Sequence, residues 1–64
     1  MKDYYRNTPK GRAEIPNCSC IYTLLDKNGK EVYNGETNNL NVRIKEHHYD
    51  KTKSFKFIII KKRK

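Results

Sequence analysis

Apolar and polar positions along the chain change rhythm several times, and each rhythm predicts an element. Residues 1–14 are polar and interrupted by Pro9 and Gly11, which predicts a flexible, irregular arm. Ile15-Pro16 favours extended backbone, because proline biases the residue before it away from the helix. Cys20-Ile-Tyr-Thr-Leu-Leu25 and Glu31-Val-Tyr-Asn-Gly35 are rich in β-formers, and Asn28-Gly29 between them predicts a hairpin. Thr37, Asn38 and Asn39 offer N-caps for a helix from Leu40 to about Tyr49. Leu40, Ile44 and His48 fall at i, i+4 and i+8, the stripe expected to meet the sheet. Residues 50–54 read as a loop and 55–60 as a third strand. The expectation is an α+β domain over 15–64, a small three-stranded antiparallel sheet in the order β-β-α-β.

Loop length decides where two tyrosines point. A two-residue turn at Asn28-Gly29 pairs Tyr22 with Gly35 and Leu24 with Tyr33, leaving Tyr22 and Tyr33 diagonal on one face, roughly 7–8 Å apart. A four-residue loop sets them directly opposite, and a three-residue loop with a bulge puts them on opposite faces. Gly35 would leave space beside Tyr22 for a phosphate or another backbone. On the helix, Arg43 and His47 form an i, i+4 pair at the rim of the Leu40–Ile44 stripe. Two phenols, a guanidinium and an imidazole could then share one concave patch. The plainer account is cross-strand packing for the tyrosines, solvation for Arg43 and a packed position for His48.

Charge narrows the partner. Among 64 residues, 15 Lys and Arg stand against 7 Asp and Glu, a net charge of +8. Residues 51–64 hold seven basic side chains and no acid. Such a balance favours polyanions through counterion release, nucleic acid above all. The apolar run 57–60 is too short to span a bilayer, and the N-terminus lacks the apolar segment of a secretory signal. An intracellular setting follows as an expectation. Cys18 and Cys20 are too close for an unstrained disulfide, and adjacent His47-His48 lack zinc-site spacing, so both thiols are expected reduced.

The residues from Cys20-Ile21-Tyr22 through Tyr33-Asn34-Gly35 to Thr37, Asn39, Leu40, Arg43 and His47 resemble the GIY-YIG nuclease superfamily in type and spacing. The likeness extends over about 15–60 and implies a small sheet flanked by helices that cuts DNA phosphodiesters. It implies that Tyr22 acts as, or assists, the general base, and that Tyr33 orients nucleophile or phosphate. Arg43 would stabilise phosphoryl charge, His47 would relay a proton, and Mg²⁺ (or Mn²⁺) would steady the leaving oxygen. Gly35, Thr37, Asn39, Lys45, His48, Lys51 and Lys53 are the residues assigned to nucleic-acid contact. Three departures stand out. Cys20 replaces the first glycine, Asn34 replaces an apolar residue, and none of Glu14, Glu31, Glu36 and Glu46 matches the family's metal-binding glutamate. That glutamate lies on a helix after the third strand, so the domain is expected to lack its C-terminal helices. A further segment or a homodimer would complete it. The two readings are a metal-dependent endonuclease domain and a catalytically incomplete nucleic-acid-binding module or adaptor on the same scaffold.

Overall fold

Six elements follow one another in a computed structural model that describes residues 3–49 and 54–62. They are β1 (Tyr4–Arg6), α1 (Pro9–Glu14), β2 (Cys20–Leu25), β3 (Glu31–Thr37), α2 (Leu40–Tyr49) and β4 (Phe57–Lys62). The sheet has the order β1-β4-β2-β3, and every pairing is antiparallel. The α+β class, the hairpin and the following helix agree with expectation. The strand count does not, because β1 adds a fourth strand from the segment read as irregular.

The local chemistry of that segment explains the difference. Thr8 caps α1, its Oγ1 accepting the Gly11 N–H at 2.9 Å, and Pro9 supplies a first-turn residue that needs no N–H partner. Gly11 is required by close approach, since a Cβ there would stand 2.1 Å from the Arg6 carbonyl oxygen. Asn7 Nδ2 donates to the Phe55 carbonyl at 2.9 Å, and Arg12 Nη1 donates to Asn7 Oδ1 at 2.7 Å. These bonds hold β1 and α1 against the start of β4. The last strand also begins at Phe57 rather than 55, and Phe55 enters the core just ahead of it.

The hairpin reaches the expected register by an unexpected route. Asp26 N–H bonds to the Lys30 carbonyl and Gly29 N–H to that of Asp26, with Gly29 at φ 81°. Asp26 Oδ1 accepts the N–H groups of Asn28 and Lys30 at 2.8 and 2.9 Å. The turn is therefore wider than a two-residue Asn-Gly loop. It pairs Leu25 with Glu31, and the register then shifts by one residue so that Leu24 pairs with Tyr33 and Tyr22 with Gly35. Val32 is the extra residue of that shift. Turn and bulge offset each other, and both tyrosines stay on one face.

Cross-strand pairs share a face, so the register sorts every strand residue. The inner face carries Tyr5, Cys20, Tyr22, Leu24, Ile58 and Ile60, which pack with Leu40 and Ile44 of α2 and with Ile15 and Phe55. Leu24, Leu40, Ile44 and Ile58 are fully buried, each contributing on the order of 1.5–3 kcal/mol. The outer face carries Arg6 beside Phe57 and Leu25, the row Tyr4, Ile59, Thr23 and Asn34, and then Lys61, Ile21 and Glu36. Asn34 is exposed there and bonds Thr23 Oγ1 at 2.6 Å, so it does not weaken the inner core. No helix among the described residues is long and apolar enough to cross a membrane.

Candidate active site on the inner face of the sheet

Helix α2 is aimed by its N-terminus. Of the three cap candidates, Asn39 serves, its Oδ1 accepting the Val42 N–H at 3.4 Å. Thr37 is buried, and its Oγ1 accepts the Asn39 N–H at 3.0 Å, fixing the turn out of β3. Leu40 N–H bonds to the Cys18 carbonyl at 3.1 Å, and Asn41 Nδ2 donates to the Ile15 carbonyl at 2.8 Å. The helix is tied to the segment ahead of β2 at two points.

So anchored, α2 presents Leu40, Ile44 and His47 to the sheet. His47 is 8% exposed, whereas His48 is exposed, which corrects the expected stripe. At about 100° per residue, position 47 lies roughly 40° from the centre line of Leu40 and Ile44, and position 48 roughly 60°. His47 is nearer the sheet for that reason. Arg43 lies farther round, its side chain 49% exposed with Nε 3.7 Å from Glu46 Oε1.

The imidazole of His47 meets both phenols. Tyr22 Oη is 2.6 Å from His47 Nε2, a buried hydrogen bond. The His47 ring centroid lies 5.6 Å from that of Tyr22 and 4.8 Å from that of Tyr33, and the two phenol rings are 6.0 Å apart. Gly35 makes this cluster possible. A Cβ on it would stand 2.6 Å from Tyr22 Oη and 2.7 Å from Tyr33 Cε2. The space expected beside Tyr22 for a phosphate is thus filled by the two rings themselves.

Burial pushes the Tyr22 hydroxyl up to about 12, and the neighbouring Tyr33 adds to the rise through its charge and a hydrogen bond. The Arg43 guanidinium acts the other way, so its charge is felt at Tyr22 although the side chain faces solvent. Exposure grades the cluster, with Tyr22 and His47 buried, Tyr33 half-buried and Arg43 outermost. Such an arrangement can pass a proton from the open side to His47 and hold an anion at its rim.

The remaining candidates fall elsewhere. Lys45 and His48 are exposed on α2, and Asn39 is an exposed cap. Lys51 and Lys53 lie outside the described residues. Glu46, which the sequence reading leaves out of the site, partners Arg43 within it, and the i, i+3 spacing carries that signal. Cys20 is buried in β2 beside Tyr22, and neither cysteine is in a disulfide. Among the described residues, no three His, Cys, Asp or Glu side chains converge to hold a metal ion.

A family model for the GIY-YIG catalytic domain matches residues 18–64, most of the chain. Comparison with curated proteins and with solved structures returns no match. Nucleases of this family act on DNA and are in general metal-dependent. The described residues do not bring three such donor side chains together to hold a cation.

Proposed function

The chain belongs to the GIY-YIG catalytic-domain family, and on that premise we propose that it hydrolyses DNA phosphodiester bonds at the Tyr33–Tyr22–His47 cluster. The observation that carries the proposal is the buried 2.6 Å contact between Tyr22 Oη and His47 Nε2. With its hydroxyl pushed to about 12, Tyr22 is phenolate in only about one molecule in 10⁵ at pH 7. It therefore acts as a relay. Water at the half-buried Tyr33 gives its proton into the phenol pair as its oxygen attacks phosphorus. The Tyr22 proton moves to His47 Nε2, and the P–O bond to the leaving sugar oxygen breaks. That oxygen takes a proton from solvent. Arg43, at the rim, holds the charge that builds on the non-bridging oxygens, for which a planar guanidinium is suited.

Lys45, exposed on α2, and the chain's net charge of +8 supply the positive field that draws the DNA backbone, and His48, Lys51 and Lys53 are assigned to the same contact as part of the proposal. Metal dependence, with Mg²⁺ or Mn²⁺, is part of the proposal as the family's general habit. One observation favours a second reading, a module that binds nucleic acid without cutting it: the two phenol rings fill the space beside Gly35 that a phosphate would need to reach Tyr22.

Conversion of supercoiled plasmid to nicked circles in Mg²⁺ or Mn²⁺ separates the two. Wild type nicks the plasmid, and Tyr22→Phe and Arg43→Ala each lose about 100-fold or more in rate. Wild-type protein that binds the plasmid and leaves it intact would establish the binding module instead.

A further inference from the structure

The opposite face of the sheet carries a second arrangement, remote from the phenol cluster. There Tyr4 stacks on Phe57, with ring centroids 5.4 Å apart and planes inclined by 24°, and Tyr4 remains 46% exposed. A shallow cavity of about 470 Å³ opens over this pair, and its walls include Arg6, Lys27 and Lys56. Among the described residues, no carboxylate lines it. Two acids adjoin these residues in sequence, Asp3 before Tyr4 and Asp26 before Lys27; neither is among the lining residues, and Asp26 has its Oδ1 occupied by the N–H groups of Asn28 and Lys30. Glu14 lines a neighbouring hollow with Lys10, on the α1 side of Tyr4 and Arg6.

We propose that this face is a separate contact for single-stranded nucleic acid, with an unpaired base stacked on Tyr4 and phosphates held by Arg6, Lys27 and Lys56. Three arguments lead there. An open aromatic ring offers a π-face that any unpaired base can use, whereas the bases of a duplex are already stacked on one another. Three cations around one aromatic floor attract a polyanion and repel each other without it. A second copy of this chain, itself at +8, would bring like charge against like charge. The register puts Tyr4, Arg6 and Phe57 on the face turned away from Tyr22 and Leu24, so this contact is independent of the chemistry assigned to the phenol cluster.

Fluorescence anisotropy of a short labelled oligothymidylate tests it, with the whole chain and with Tyr4→Ala, Tyr4→Phe and the double variant Lys27→Gln/Lys56→Gln. Tyr4→Ala weakens binding by about 5- to 150-fold, while Tyr4→Phe keeps the ring and the affinity. The double variant changes two exposed side chains and leaves the rings untouched. It lowers the slope of log affinity against log salt by about 0.7 per lysine. Unchanged affinity in both Tyr4→Ala and the double variant would overturn the proposal. So would concentration-dependent self-association that Tyr4→Ala abolishes, since that assigns the face to a second copy.

Discussion

One sheet, built from alternate residues of the same strands, presents two faces that solve opposite problems. On the inner face the polar groups are buried or half-buried and answer one another: Tyr22 with His47, Tyr33 against both rings, Thr37 with the backbone of Asn39. On the outer face they are exposed and bond locally, as Thr23 does with Asn34 and Asn34 Nδ2 with Glu31 Oε1 at 3.1 Å. A buried polar group without a partner costs about 1–3 kcal/mol, whereas an exposed one turns to water. The inner face therefore tolerates few alternatives in rotamer or spacing, which is the property a proton relay needs. The outer face tolerates many, which suits loose, sequence-tolerant contact.

The largest effect expected from this contrast is at Gly35. Gly35→Ala drives a methyl group into Tyr22 and Tyr33, both held by the His47 contact. The cost is about 1–3 kcal/mol, a large share of what so small a core supplies. Its neighbour on the outer face is the control, and Asn34→Ala stays within about 0.5 kcal/mol. Thermal unfolding of the two variants measures both. Equal losses would show that the faces do not differ as described.

Alkaline titration gives a smaller, sharper distinction. The folded state keeps Tyr22 protonated up to about 12, while the unfolded chain releases that proton near 10. Stability from this source is complete below pH 10 and is lost as pH rises from about 10 to about 12. The difference in phenolate absorbance between wild type and Tyr22→Phe should show a step near 12, accompanied by loss of folded structure. A step near 10 with the fold intact would mean that Tyr22 is not enclosed.

Much of the inner face is legible in the sequence because alternation and helical spacing are rigid rules. The pairing of Tyr22 with Gly35 is one of the three registers that the hairpin signal leaves open, and Arg43 and His47 share a side of α2 because they stand one turn apart. The misreadings have physical causes. Asn28-Gly29 signals a turn but not its length, since Asp26 widens it through two side-chain bonds and Val32 restores the register. His48 is taken for the stripe residue because i+8 and i+7 both lie near the face, and the smaller angle of position 47 from the Leu40–Ile44 line decides for His47. Gly35 reads as an open space because its filling depends on the bulk of two aromatic rings from two strands. Thr8-Pro9 begins a helix inside the segment read as irregular, a start signal that the sequence reading passes over, and the strand before it spans three residues, too short for any alternating pattern to announce.

The Tyr22–His47 hydrogen bond is the joint on which the hydrolytic reading turns, and nitrogen NMR of the two histidines probes it directly. His47 should show one bare and one proton-bearing ring nitrogen, with the bare Nε2 displaced on Tyr22→Phe and the exposed His48 unaffected. Exchange-averaged nitrogens at His47, indistinguishable from those of His48 and indifferent to Tyr22→Phe, would contradict it.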